Sequence, residues 1–208
     1  MRTPLILALL LSSTFASAAE QVRPLAPFDS VNVQGAVHMV VEVGKTQSLL
    51  IKGDDKYLAT VETRVVDRKL FISFPKNKRN GMNMPNDAKI LIGMPALRAF
   101  HVEGAGYAEL KNISGDSIDI GFQGAGKLLA SGKVKALKLN AQGVGDVATK
   151  ALQTQRADVV FEGIGAVKVH ASERLDAVVQ GMGSLNYYGN PRVINTTVEG
   201  IGSVKAGG

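Results

Sequence analysis

The chain has 208 residues, of which 45% are hydrophobic, 20% charged and 5% aromatic, and its formal net charge is +6. It contains no cysteine, which excludes disulfides, thiolate metal sites, iron–sulfur clusters and cysteine nucleophiles. The length suits one domain or two small ones, and such a chain can bury a core without disulfide or metal staples. The apolar fraction excludes wholesale disorder.

The first 18 residues have the pattern of a secretory signal peptide. The basic residue Arg2 precedes an apolar run at 4–11, and Ala-Ser-Ala at 16–18 is a small-residue cleavage signal. The alternative is a retained membrane anchor, but the apolar run is short for crossing a bilayer, and no later segment approaches that length. We therefore predict an exported protein, located in the periplasm, secreted or at the cell surface, with a short linker at 19–27.

Residues 28–100 have the alternation of strands but no repeat. One helical turn is predicted at 54–60, and a polar loop at 75–87. We predict a hairpin around Asp67 and Arg68. The predicted strands lie at 28–33, 37–43, 48–51, 61–66, 69–74 and 88–92.

Residues 101–206 contain one short motif six times. The motif is Glu or Gln, then Gly, an apolar residue and Gly, and its first glycines are 20, 19, 20, 18 and 19 residues apart. A fixed period of this length is typical of a solenoid. The glycines of these GxG corners are Gly104, Gly106, Gly124, Gly126, Gly143, Gly145, Gly163, Gly165, Gly181, Gly183, Gly200 and Gly202.

Strands are predicted on both sides of each corner. Apolar residues lie two and four positions before the first glycine, as at Phe161 and Val159, and again after the corner, as at Val167. The apolar residue between the glycines is also expected to point inward. We predict an all-β fold, a right-handed parallel β-helix (solenoid) of about six rungs with a non-repeating N-terminal β region. The handedness follows the general rule for parallel crossovers.

Several kinds of chemistry find no support in these motifs. No GxG extends to the GxGxxG pattern before a helix that is typical of dinucleotide binding. The corners also do not form a series of calcium-binding nonapeptides. The histidines His38, His101 and His170 are widely spaced, and no GxSxG elbow occurs. Few aromatic residues in an exported chain argue against nucleic-acid binding. We predict no catalytic, cofactor-binding or metal-binding residues and no enzyme activity.

Two columns of polar residues are expected to stack outside the strands. Directly before the glycines, Glu162, Gln180 and Glu199 continue a Glu/Gln column whose members either hydrogen-bond to each other and to the backbone or bind a sugar or cation. Four residues further back, Asp158 and Asp176 are expected to be neighbours. They could hold a cation or act as the paired carboxylates of a retaining glycosidase, but an ion pair with Lys138 is a simpler interpretation. These five acidic and amide residues are the candidate ligand-binding residues.

The chain resembles a known family in three places. These are Phe-Asp-Ser-Val-Asn-Val-Gln-Gly at 28–35, Met-Pro-Ala-Leu at 94–97, and the string of Glu/Gln-Gly-x-Gly corners. Together they resemble the GIN domain family (DUF2807), described as an auto-transporter adhesin head domain, over about 28–206. The resemblance implies a single β-helix-like domain of bacterial envelope or secreted proteins, without established catalytic residues. Since the last repeat ends near Gly208, we do not expect an autonomous autotransporter.

Three functional hypotheses remain open. The first is an exported, non-enzymatic envelope binding or adhesion-like domain that binds a glycan or an envelope protein through flat, polar faces. The second is a carbohydrate-active β-helix enzyme that uses Asp158 and Asp176, which a deep acidic groove would favour. The third is a purely structural envelope protein. Because solenoid ends normally need caps, either the tail folds over the last rung or a homo-oligomer forms there.

Overall fold

Twelve strands and one short helix make up the computed structural model, which describes residues 19–74 and 87–207. The predicted signal peptide at 1–18 and most of the predicted loop at 75–87 lie outside these residues. The elements are β1 (Ala19–Val22), β2 (Ser30–Gln34), β3 (Val37–Val43), β4 (Ser48–Gly53), α1 (Asp55–Thr60), β5 (Glu62–Val66), β6 (Lys69–Ser73), β7 (Lys89–Met94), β8 (Ala99–Gln153), β9 (Arg156–His170), β10 (Arg174–Tyr188), β11 (Val193–Gly200) and β12 (Ser203–Ala206).

The strands form one curled sheet, which confirms the prediction of an all-β fold. The long strand β8 passes through three GxG corners, and β9 and β10 pass through one each. Consecutive repeats pair in parallel and in register, so that Lys138, Asp158, Asp176 and Asn195 are successive neighbours. A right-handed β-helix of about six rungs stays a prediction.

The glycine corners stack directly on one another. A Cβ atom on Gly163 would overlap the carbonyl oxygen of Gly143, and Gly143 has the same relation to Gly124. Gly163 also has a φ of +146°, a backbone conformation that residues with a side chain rarely adopt. Glycine is therefore required twice over, by the turn and by the close approach of the neighbouring corner.

The residue between the two glycines points outward, so the prediction that it points inward is wrong. Val144 is 53% exposed, Ile164 47%, Met182 53% and Ile201 81%. The reason is that the alternation of the strand continues through the corner. Phe161 and Val167 are buried, so the inward positions between them belong to the two glycines themselves. We call the outward row of Val144, Ile164, Met182 and Ile201 the corner ridge.

The N-terminal strands extend the same stack. Strand β2 pairs in parallel with the start of β8, and β3 pairs in parallel with β8 just after the first corner. A Cβ on Gly104 would overlap the backbone of Gly35, which lies between β2 and β3. Gly35 therefore forms one more corner beneath the first GxG. Strands β6 and β5 continue the sheet beyond β2, and β7, β4 and β1 continue it beyond β3.

The local elements follow their sequence signals closely. The predicted hairpin is confirmed as the antiparallel pair β5–β6, with positive φ at both Asp67 and Arg68 in its turn. The predicted helical turn is confirmed as α1, which is capped by the Asp54 side chain accepting from the Tyr57 amide at 2.7 Å. The ends of these short elements are thus set by local residues, the turn at Asp67 and Arg68 and the cap at Asp54.

The core consists of columns of apolar side chains, one from each layer of the stack. Each fully buried valine, leucine, isoleucine or phenylalanine side chain in these columns contributes roughly 1.5–3 kcal/mol through the hydrophobic effect. One column, four positions before the corners, contains Leu70, Val31, Phe100, Ile120, Leu139, Val159 and Ala177.

Asp29 joins three chain segments at the base of the stack. Its carboxylate accepts from Arg68 Nε at 2.9 Å and from Ser30 Oγ at 3.0 Å, and Arg98 Nε lies 3.6 Å away. The Asp29 side chain is 14% exposed. Burial tends to raise the pKa of this carboxyl, but the hydrogen bonds from Arg68 and Ser30 outweigh it, so that its pKa lies below the usual value.

We expect Asp29→Asn to cost about 1 kcal/mol of the free energy of unfolding at neutral pH, since the half-buried carboxylate loses its charge-assisted hydrogen bond from the exposed Arg68. The folded-state pKa of Asp29 is lowered, so the carboxylate stabilises the fold above its unfolded pKa of about 3.9. That contribution is lost as the pH falls through the lower folded-state pKa. Urea unfolding of wild type and variant should therefore show a stability gap that closes on acidification.

The control for this prediction is Asp146→Asn. Asp146 is exposed, and we expect the substitution to stay within about 0.5 kcal/mol of wild type. A stability gap for Asp29→Asn that did not change with pH would contradict the role of its charge.

Candidate functional site

The Glu/Gln column at the corners is hydrogen-bonded within itself. Gln142 Nε2 donates to Glu162 Oε2 at 3.2 Å, and Gln180 Nε2 donates to Glu199 Oε2 at 2.8 Å. At the other end of the stack, Gln34 continues the column beneath the first corner. In each pair an amide supplies the donor that a carboxylate needs, and these pairs therefore stabilise the sheet.

The two aspartates singled out from the sequence lie side by side but face a different partner from the one expected. Asp158 and Asp176 are register partners on β9 and β10. Arg174 Nε lies 2.5 Å from Asp176 Oδ2, and Asn195 Nδ2 donates to Asp176 Oδ1 at 2.7 Å. Lys138 instead lies 4.0 Å from Asp119. Arg174 takes the place expected for Lys138 because it lies two residues before Asp176, on the same face of the same strand.

The electrostatics at Asp176 favour an ion pair over proton donation. Hydrogen bonds from Arg174 and then from Asn195 lower the pKa of this carboxyl below its usual value. A general acid of a glycosidase needs the opposite, a raised pKa. Asp158 and Asp176 therefore make a polar patch in which the charge of Asp176 is already compensated by Arg174.

A depression of about 300 Å³ lies on the outer face of the strands that precede the corners. It exists because the outward position of Gly121 has no side chain, whereas the same position of the neighbouring repeats holds His101 and Asn140. The His101 ring leans over this gap, where it would overlap a Cβ on Gly121. The residues around the depression are Asn32, His101, Val102, Glu103, Asp119, Gly121, Phe122, Gln123, Lys138, Asn140 and Gln142.

Hydrogen-bond donors and acceptors, from both charged and amide side chains, lie together at this depression. His101 Nε2 lies 3.4 Å from Asp119 Oδ1, and Lys138 Nζ lies 4.0 Å from Asp119 Oδ2. The amides of Asn140 and Gln142 add both donors and acceptors. Since a hydroxyl group donates and accepts at once, this mixture suits a polyhydroxylated ligand. We call this depression, with the eleven residues around it, the front depression.

Sequence reasoning missed the front depression because it followed the columns one and five positions before the corners. The column three positions before them contains His101, Gly121 and Asn140 in successive repeats. A glycine between two polar outward residues is the signal that could have found it, because a missing side chain in a stacked column leaves a gap.

Two other kinds of site have no counterpart in the described part of the chain. No group of three or more His, Asp or Glu side chains in residues 19–74 and 87–207 is placed to hold a metal ion. Over the same residues, the one α-helix, α1, is not long and apolar enough to cross a membrane.

Two solved structures of bacterial proteins are similar to this chain over most of its length. A protein described as a putative adhesin from Bacteroides fragilis has a TM-score of 0.76 at 24% identity, over 92% of this chain and 98% of that chain. A protein described as a putative lipid binding protein from Parabacteroides distasonis has a TM-score of 0.52 at 18% identity, over 93% and 98% of the two chains. No curated protein matches the chain significantly.

A family model gives the more specific comparison. It is described as "Putative auto-transporter adhesin, head GIN domain" (DUF2807) and matches residues 27–191. The matched region begins before β2 and includes five of the six GxG corners and the whole front depression. The resemblance noted in the sequence is thereby confirmed, and the chain belongs to the GIN domain family.

Proposed function

We propose that this protein is an exported, non-enzymatic, adhesion-like domain of the bacterial cell envelope that binds glycans at the front depression. The observation that carries the proposal is the gap at Gly121, bordered by polar side chains from four successive layers of the sheet. The description of its family as an adhesin head supports the same role.

The size and shape of the front depression suit part of a glycan chain. Its volume of about 300 Å³ is at the lower end for small-molecule sites, and it is a shallow feature of a flat face. An extended polymer can lie across such a face with one unit seated at Gly121. The polar column of Glu162, Gln180 and Glu199 would continue the contact toward the later repeats.

The path of the chain through the stacked repeats bears on how the site is held. We propose that the in-register parallel pairs form a right-handed β-helix of about six rungs. The pairing of β8 with β9 and of β9 with β10 supports it, since each repeat lies directly over the one before. Such a stack holds His101, Gly121 and Asn140 at constant spacing, which preorganises the site.

Filling the gap tests the proposed site. Gly121 lies in a strand and is not among the residues with positive φ, so its backbone accepts a side chain, and the nearest atoms that a Cβ there would meet belong to the His101 ring. We expect Gly121→Val to weaken glycan binding by about tenfold or more, which corresponds to about 1.4 kcal/mol. The measurement is an array of bacterial and host surface glycans probed with the labelled full chain.

The control is Ser184→Val, which places the same valine side chain at a half-buried outward position beyond the corner of β10. It should bind like wild type. Retention of no glycan by the wild-type chain, or equal retention by Gly121→Val, would contradict the proposal.

The second hypothesis, a carbohydrate-active enzyme, rests on the neighbouring positions of Asp158 and Asp176. The double variant Asp158→Asn/Asp176→Asn separates the two functions. A glycosidase would release reducing sugar from the array glycans and lose this activity in the double variant. Our proposal expects no release by the wild-type chain and unchanged glycan retention by the variant.

A further inference from the structure

The C-terminal end of the stack leaves apolar side chains uncovered. Ile194 and Val198 of β11 are 42% and 43% exposed, whereas their register partners Leu175 and Val179 are completely buried. Both residues continue the inward columns of the core. The last layer therefore exposes part of the interior of the sheet.

The same layer also presents an unpaired strand edge. Among the described strands, β11 pairs only with β10, so its second edge is free along Val193–Gly200. The strand has the sequence VINTTVEG, with five β-branched residues and neither proline nor lysine to block the edge. A free edge of this composition is a template for another strand.

We propose that a second copy of the chain covers this end, related by a twofold axis, with its β11 antiparallel to the β11 of the first copy. The side-chain alternation restricts the register. In an antiparallel pair, opposite residues lie on the same face. Ile194, Thr196 and Val198 all point inward, so the even-numbered residues of β11 share the inward face and the odd-numbered residues share the outward face. An even-numbered residue must therefore lie opposite an even-numbered residue of the second copy, and the numbers of two opposite residues add to an even sum.

Two registers satisfy this condition with seven paired residues each. Centred on Thr196, the pair sets Ile194 opposite Val198 of the second copy, so that the two exposed apolar positions cover each other. Centred on Thr197, it sets Ile194 opposite Gly200 and leaves Val198 opposite a threonine. The first register buries more apolar surface and is the one proposed.

Charge complementarity supports a second copy in this orientation. Arg192 precedes the strand and Glu199 lies near its end, and both are exposed. Antiparallel pairing brings the positive start of each strand beside the negative end of the other, at both ends of the pair. No two Glu199 side chains lie opposite each other, so like charges are kept apart.

Cysteine cross-linking tests the register, and the chain has no cysteine of its own to interfere. In the proposed register Thr196 lies opposite its own counterpart, within the Cα separation that a disulfide spans. We expect the full-length Thr196→Cys variant to form a disulfide-linked dimer on air oxidation. The control is Thr197→Cys, whose counterpart would be about 8 Å away, too far for a disulfide.

A mixture of Asn195→Cys and Thr197→Cys chains should give a mixed disulfide, since these two positions lie opposite each other in the proposed register. Cross-linking of Thr197→Cys to itself as efficiently as Thr196→Cys, or no cross-linking of Thr196→Cys, would overturn the register and the proposal.

Sedimentation equilibrium of the wild-type full chain provides an independent test. We expect a mass that doubles with rising concentration and then stops, because a twofold interface closes at two copies. Val198→Lys should remain monomeric while keeping the β-sheet circular dichroism of wild type. A wild-type chain that stays monomeric at high micromolar concentration, or that forms an open series of larger species, would overturn the proposal.

Discussion

Gly163→Ala is expected to lower the free energy of unfolding by more than about 4 kcal/mol, or to prevent folding. Two costs combine at this position. The φ of +146° strains any residue with a Cβ, and that Cβ would overlap the carbonyl oxygen of Gly143 in the adjacent corner. Relief would require the two layers to move apart, which would break the parallel hydrogen bonds on both sides. Urea unfolding followed by circular dichroism measures the loss.

The matched control is Gly115→Ala. Gly115 has a similar φ of +136°, but nothing lies within 4 Å of a Cβ built on it. This variant has the strain without the overlap, so we expect a loss of about 1–3 kcal/mol. Equal losses for the two variants would show that corner stacking adds nothing to stability.

Phe100→Ala is expected to cost about 3–5 kcal/mol, because it removes a large side chain from the core and leaves a cavity. Phe100 is completely buried and lies in the inward column between Val31 and Ile120. Thermal and urea unfolding should both show the loss.

Phe71→Ala provides the comparison for this prediction. Phe71 points outward from β6, where the Arg64 guanidinium lies 5.2 Å from the centre of its ring. Truncation there loses a cation–π contact and partial burial, worth about 1 kcal/mol. A similar loss for both phenylalanines would contradict the placement of the core on the Phe100 side of the sheet.

The repeat made the main features of the fold predictable from the sequence. The spacing of the GxG corners indicates the layers, and the alternation around Val159 and Phe161 indicates the inward face. The layers and the inward face both depend on contacts between neighbouring positions in the chain or in adjacent repeats, and a periodic sequence indicates such contacts directly. The hairpin at Asp67 and Arg68 and the cap at Asp54 are equally local.

Features that depend on one altered position were harder to predict. Gly35 forms a corner without a second glycine, because Val37 stands where Gly106 stands one layer above. A search for GxG therefore passes over it, although Gln34 and Gly35 keep the start of the motif. The apolar side chain of Ile164 predicts an inward position, but the glycines beside it already occupy the inward positions, so that it points outward.

The candidate site was the least predictable part. Asp158 and Asp176 are neighbours, as their spacing indicates, but Arg174 and Asn195 compensate Asp176 through contacts that the repeat period does not report. The front depression arises from an absent side chain at Gly121. A missing side chain has no chemistry of its own, and its effect appears only when the neighbouring layers are in place.

Glycan binding at the front depression is tested most directly by nuclear magnetic resonance titration of the isotopically labelled chain. The ligand is the oligosaccharide that the wild-type chain retains most strongly on the array. We predict that the largest backbone amide shifts fall at Asn32, His101, Gly121 and Asn140. Shifts confined to Asp158 and Asp176, or to the corner ridge, would contradict binding at the front depression.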